Sequence, residues 1–188
     1  GTRPYNHLRY DDALRLAITR NLAQSVVAPL QTRGLKRAAV CVILTDDGEG
    51  GAALILTLRA KHLNAHSGQY ALPGGRVEAG ESAVAAALRE AREEINLELA
   101  QDTILGRLDD YPTRSGFLIT PIVVWAPRGA AMSANPAEVE TIYRVRLFDL
   151  GLAGSPEFAA IPESDQPVIR YPLLGTLIHA PTAAVLYQ

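Results

Sequence analysis

Gly75-Arg76-Val77-Glu78-Ala79-Gly80-Glu81-Ser82-Ala83-Val84-Ala85-Ala86-Ala87-Leu88-Arg89-Glu90-Ala91-Arg92-Glu93-Glu94-Ile95-Asn96-Leu97 is a glycine loop feeding a helix. The alanine-rich run 82–88 is strongly helix-forming. Continuing that helix places Glu90, Glu93 and Glu94 at i, i+3 and i+4, on one face and in one shared site. Like charges at this spacing cost a few tenths of a kcal/mol per pair, and carboxylates in a last turn oppose the helix dipole. A divalent cation reverses that sign. Clustered hard oxygen ligands suit Mg2+ or Mn2+, which bind through a few carboxylates, retained waters and substrate phosphates. An ordinary solvated helix intersperses lysines four residues after its glutamates. Here Glu90 is followed at i+4 by Glu94, and Arg89 and Arg92 leave the patch net acidic.

The same stretch resembles the signature of the Nudix hydrolases, which cleave nucleoside diphosphates linked to another group X. Gly75, Glu81, Arg89, Glu90, Glu93, Glu94 and Leu97 match it, and Ala91 fills the first aliphatic place. Asn96 stands where the family has glycine. A residue just past a helix adopts the left-handed conformation, for which asparagine is the next most tolerant type, so this departure should cost stability rather than chemistry. The resemblance implies an α+β fold, the family's α/β/α sandwich around a mixed sheet, and hydrolysis of a diphosphate with Mg2+ or Mn2+ as cofactor.

Glu90 and Glu94 are the first choices as direct metal ligands. Glu93 is either a third ligand or the group that orients or deprotonates the attacking water. Arg89, four residues before Glu93, can turn back to hold that carboxylate. Glu81 precedes or opens the helix and so supports the ligands rather than joining them. By resemblance, the Gly75 carbonyl joins the metal shell, and the catalytic base can lie on a later loop, where Glu138 and Glu140 are candidates. Solvated acids at a strand entrance are the competing reading of that pair. Arg59, His66, Gly74 and Arg76 are assigned to the substrate, with a satisfied loop histidine an equal reading of His66. His7, His62 and His179 have no partner pattern.

Upstream, residues 56–75 look like the extended motif of the coenzyme A pyrophosphatase branch. Thr57, Arg59, Gly68, Pro73, Gly74 and Gly75 agree with it. Ile55, Ala60, Asn64, Tyr70 and Leu72 depart, and Asn64 removes an arginine that would clamp a phosphate. The segments 112–121 and 135–139 also look like that branch, so the likeness covers roughly residues 38–148. It implies coenzyme A or acyl-coenzyme A, cleaved to 3',5'-ADP and phosphopantetheine. ADP-ribose or a dinucleotide is the alternative substrate, and a non-catalytic ligand-binding module is the alternative class. The retention of all three helix glutamates disfavours the module. A homodimer is compatible with the resemblance.

At 188 residues, 48% of them hydrophobic, the chain reads as a single domain, with residues 1–37 as a helix and lead-in. A net charge of -2 and no long basic run argue against nucleic-acid binding. No apolar run approaches the roughly 20 residues needed to span a bilayer. The lone Cys41 sits in the apolar run 38–44 and reads as a buried small hydrophobe, which fits a reducing cytoplasm. The chain opens Gly1-Thr2 rather than with methionine.

Asp11 or Asp12 caps a first helix carrying Leu14, Ala17, Ile18 and Leu22 and ending before Pro29. Runs 38–45 and 52–59 flank a turn-rich linker and should pair antiparallel. Further strands are expected at 104–110, 117–126, 141–148 and 168–171, and a second helix at 181–187. Residues 127–137, rich in Ala, Gly and Pro, read as a mobile loop.

Overall fold

The structure, a computed structural model, describes residues 9–24, 34–62 and 69–147 and the backbone of strands between 157 and 178. The expected hairpin is present. β1 (Lys36–Asp46) and β2 (Ala52–Arg59) pair antiparallel through Leu44↔Leu54, Thr45↔Ala53 and Asp46↔Ala52. Asp47 closes the turn, its Oδ1 accepting the amides of Glu49 and Gly51 at 2.7 and 2.9 Å. Beyond Leu44 the two strands part, and a short strand enters against β1. This is β4 (Gly74–Arg76), preceded by β3 (Tyr70–Ala71), which pairs with β2. β4 seats Gly75 opposite Ala39 and Gly74 opposite Val40. The glycine loop is thereby held in a cleft opened within the sheet.

The remaining described strands of this sheet are β5 (Ile104–Arg107), β6 (Tyr111–Pro112), β7 (Phe117–Trp125) and β8 (Val139–Arg146). β7 lies parallel to β1 along its length, and β8 antiparallel to β2, so the sheet is mixed. The strand expected at 104–110 stops at Arg107. Asp110 turns instead to Arg107 (2.6 Å) and to the Thr120 hydroxyl (2.9 Å), pulling the chain out of the ladder. β9 (Glu157–Ile161), β10 (Ser164–Leu173) and β11 (Thr176–Ile178) form a second, antiparallel sheet, and the strand expected at 168–171 lies inside β10. The helix expected at 181–187 lies outside the described residues, as does residue 148 at the end of the expected strand 141–148.

One helix covers each face of the larger sheet, as the α/β/α reading requires. α1 (Asp12–Gln24) is capped by Asp11, whose Oδ1 accepts the Leu14 amide at 2.9 Å. Leu14, Ile18 and Leu22 pack on Val42, Leu44, Leu54, Leu56 and Trp125. Tyr10 stacks on Trp125 with ring centroids 4.4 Å apart, and its hydroxyl donates to the Ala126 carbonyl. On the other face α2 (Ala83–Ile95) presses Ala83, Ala86, Ala87, Ala91 and Ile95 onto Ala39, Cys41, Ile43, Ile122 and Val124. Alanine lets the helix backbone approach the sheet closely. Burial pushes the Cys41 thiol up to about 12, which keeps it an inert hydrophobe. No described helix is long and apolar enough to cross a membrane.

Candidate functional site

α2 begins at Ser82, whose hydroxyl accepts the Ala85 amide at 3.1 Å, and ends at Asn96 in the left-handed conformation (φ 51°, ψ 34°). Its buried stripe runs 83, 86, 87, 90, 91, 94, 95. Glu90 and Glu94 therefore occupy positions where the helical period calls for core residues, and both are buried. Glu93 falls off the stripe. Helical spacing groups it with the other two, but its side chain is 46% exposed and its carboxylate is held by Arg89 at 3.1 Å.

The third acid against Glu90 and Glu94 is Glu138. One carboxylate oxygen from each of Glu90, Glu94 and Glu138 lies within 4.8 Å of the others. Glu138 reaches the site because β8 pairs with β2 through Arg59↔Val139, and the Ala60 amide donates to the Glu138 carbonyl at 3.1 Å. Glu140, the other loop candidate, is exposed.

Arg89 binds the helix to the loop before it. Its Nε and Nη2 take both oxygens of Glu81 (2.9 and 3.1 Å), its Nη1 donates to Glu90 and Glu93 (3.0 and 3.1 Å), and its Nη2 also donates to the Arg76 carbonyl (2.9 Å). This fork geometry is specific to a guanidinium. Glu81 in turn accepts the Glu78 amide at 3.1 Å, and the Arg89 bonds hold its carboxyl below the usual range. Glu81 thus reaches the carboxylate cluster through Arg89. Gly75 lies directly against Glu90, and a Cβ there would fall inside contact distance of the Glu90 carboxylate. The Gly74 amide donates to Glu94 Oε2 at 3.4 Å.

Burial is the largest influence on both inner acids. It pushes Glu94 up to about 8, assisted by the charges of Glu90 and Glu138 and opposed by Arg59 and the Gly74 amide. Glu90 is also raised by burial, with Arg89 opposing. Among the described residues, Glu138 Oε2 and Arg59 Nε are buried without a hydrogen-bond partner. Arg59 is expected from the sequence to contact substrate. The structure brings it close enough to Glu94 to lower that carboxyl, a proximity between β2 and α2 that is invisible in local spacing. Two buried carboxylates with raised pKa values, beside a third with one buried oxygen lacking a hydrogen-bond partner, are the condition a hard divalent cation relieves, so the donor set fits Mg2+ or Mn2+.

The loop 127–137, expected to be mobile, is tied to the end of α2. The amides of Ser133 and Asn135 donate to the carbonyls of Ile95 and Glu94, both at 2.9 Å. Asn135 Nδ2 donates to the Glu93 carbonyl at 3.0 Å. Asn96 Nδ2 donates to the Ser133 carbonyl and hydroxyl at 2.9 and 3.2 Å, a tie glycine cannot make. The stability cost expected of asparagine at this position is thereby offset.

Of the remaining candidates, Arg76 is exposed, its guanidinium 5.3 Å over the Phe117 ring. His62 contacts the Ala137 carbonyl at 2.9 Å. His7, Asn64, His66, Gly68 and His179 lie outside the described residues.

Residues 35–166 match the NUDIX domain family. An uncharacterised Nudix hydrolase, NudL, of Photorhabdus laumondii is 36% identical over 138 residues, 72% of this chain and 74% of that protein. The chloroplastic Nudix hydrolase 22 of Arabidopsis thaliana is 33% identical over 138 residues, which span 45% of its length. Among solved structures, a NUDIX hydrolase from Alicyclobacillus acidocaldarius superposes with a TM-score of 0.57 at 17% identity, covering 84% of this chain and 91% of that one. A MutT/nudix family protein from Enterococcus faecalis gives 0.57 at 13% identity, covering 91% and 66%. These two show the fold. With the family match over most of its length, the chain belongs to the Nudix hydrolases.

Proposed function

We propose that the chain is a divalent-metal-dependent pyrophosphohydrolase that cleaves the diphosphate of a nucleoside diphosphate derivative. The observation that carries this reading is the meeting of Glu90, Glu94 and Glu138 within 4.8 Å, with a buried oxygen of Glu138 left unpaired. Glu90, Glu94 and Glu138 would hold Mg2+ or Mn2+, and the resemblance adds the Gly75 carbonyl to that set. Bound there, the ion screens phosphate charge and acidifies water. Arg89 holds Glu90 in place, and Arg59 offers a cation to the phosphate oxygens at the end of β2. Glu93, outside the cluster, half exposed and held at one oxygen by Arg89, orients the attacking water or accepts its proton in this scheme.

For the substrate, coenzyme A or an acyl-coenzyme A is favoured over ADP-ribose or a dinucleotide. The support is the agreement of Thr57, Arg59, Gly68, Pro73, Gly74 and Gly75, and of the 112–121 and 135–139 segments, with the coenzyme A pyrophosphatase branch. The deciding experiment incubates the protein with coenzyme A, ADP-ribose and NADH in parallel and identifies the products. Release of 3',5'-ADP from coenzyme A, abolished by EDTA and restored by Mg2+ or Mn2+, is expected. Faster turnover of ADP-ribose would move the assignment to that substrate, and turnover unaffected by excess EDTA would sink the metal mechanism.

A further inference from the structure

We propose that Asn135 is a positioning residue that sets Glu138 against Glu90 and Glu94; this deepens the metal-centre reading above and rests on it. The C-terminal carbonyls of a helix have no partner within it, and in α2 two of these carry the site, since they belong to Glu93 and Glu94. Asn135 takes both: its side-chain Nδ2 donates to Glu93 O (3.0 Å) and its amide to Glu94 O (2.9 Å). The same residue fixes the turn that follows. Its carbonyl accepts the amides of Glu138 and Val139 at 3.0 and 2.8 Å, and its Oδ1 accepts the Ala137 amide at 3.2 Å. One side chain and one peptide unit therefore join the backbone of the helix acids to the backbone of the loop acid.

Pro136 removes a competing amide and biases Asn135 toward an extended conformation, so the Asn-Pro pair turns the chain at this point. Three carboxylates bind one ion well only when their separation is set in advance, because otherwise ion binding must overcome both their repulsion and their freedom. The Asn96–Ser133 tie lies on the same loop but does not touch the 135–138 turn. It supplies a control for loop attachment alone.

The test measures Mn2+ binding to the full chain by electron paramagnetic resonance, beside thermal unfolding in EDTA. Asn135→Ala should weaken Mn2+ binding about 10-fold or more, the range of residues that orient ligands. Asn96→Gly should lower Tm while leaving Mn2+ affinity within about 2-fold, the spread expected of an uncoupled site. Asn135→Ser, which keeps an acceptor for the Ala137 amide but is too short to reach Glu93, should weaken binding in the same direction and serves if the alanine variant does not fold. Wild-type Mn2+ affinity in a folded Asn135 variant overturns the proposal, as does an equal loss in Asn96→Gly, which would reduce Asn135 to general loop attachment. Glu94→Gln is run in parallel to separate the two levels. Undiminished binding in that variant, or no binding by the unaltered chain, overturns the metal centre itself and this proposal with it.

Discussion

Gly74 and Gly75 are adjacent, yet they resist substitution for different reasons. A Cβ on Gly75 meets the carboxylate of Glu90, the far end of a side chain that can swing away. A Cβ on Gly74 meets the Ala39 carbonyl and the Val40 backbone at 2.5 and 2.9 Å, which cannot move without breaking the β1–β4 pairing. Gly75→Ala should therefore leave Tm within about 2 °C of wild type, equivalent to about 0.5–1 kcal/mol at most, while turnover falls at least about 10-fold as Glu90 is displaced from its partners. Gly74→Ala should unfold the chain more readily, by about 1–3 kcal/mol, the cost of overpacking a close contact. Thermal melts and initial rates on the same preparations distinguish the two. Equal loss of Tm in both variants would mean that Glu90 is as rigidly held as backbone.

At the scale of the element, α2 acts through its stripe. Its existence is legible in the alanine-rich run 82–88, whereas the burial of Glu90 and Glu94 emerges in the structure, where they continue the buried stripe of Ala83, Ala86, Ala87 and Ala91. The same period excludes Glu93, yet counting i, i+3 and i+4 alone joined it to the others; the apolar stripe is the more discriminating signal. Glu138 was legible only as a candidate beside Glu140, since the β2–β8 register that selects it is a long-range pairing with no local signature. Arg89 faces out of the stripe and reaches around the helix to Glu81, Glu90, Glu93 and the Arg76 carbonyl. Lysine supplies a single point of charge and cannot span these acceptors. Arg89→Lys should cost about 1–3 kcal/mol of stability and depress turnover, whereas Arg92→Lys, on the exposed side of the same helix, should stay within about 0.5 kcal/mol. Matching chemical melts for the two variants would show that the fork geometry carries no stability.

Over the whole molecule, the sandwich brings four distant segments to one point: the end of β2, the glycine loop, the last turns of α2 and the entry to β8. The hairpin and both described helices follow from local pattern, but the parallel β1–β7 pairing and the insertion of β4 into the cleft do not, because each is decided by which strands share a buried face. Gathering three carboxylates in a buried site makes stability depend on protons when no cation is bound. Glu94 ionises near pH 4.5 in the unfolded chain and is pushed up to about 8 in the folded one, and Glu90 is shifted in the same direction. Between those values the folded state holds more protons than the unfolded state, so unfolding free energy falls as pH rises. The contribution is fully present below about pH 4.5 and is lost as pH rises through about 8. In EDTA, Tm should decline from about pH 5 to about pH 8, by an amount worth up to a few kcal/mol, over and above any trend shared with a Glu94→Gln variant. That variant has no such proton to lose and should show the flatter profile. Saturating Mn2+ should oppose the decline, since binding to the folded state at about 100 times Kd adds about 2.7 kcal/mol, and deprotonated carboxylates bind the ion better at higher pH. Parallel Tm–pH profiles for wild type and Glu94→Gln in EDTA would show that Glu94 does not carry the linked proton, and a Mn2+ shift that shrinks with rising pH would place the ion away from these carboxylates.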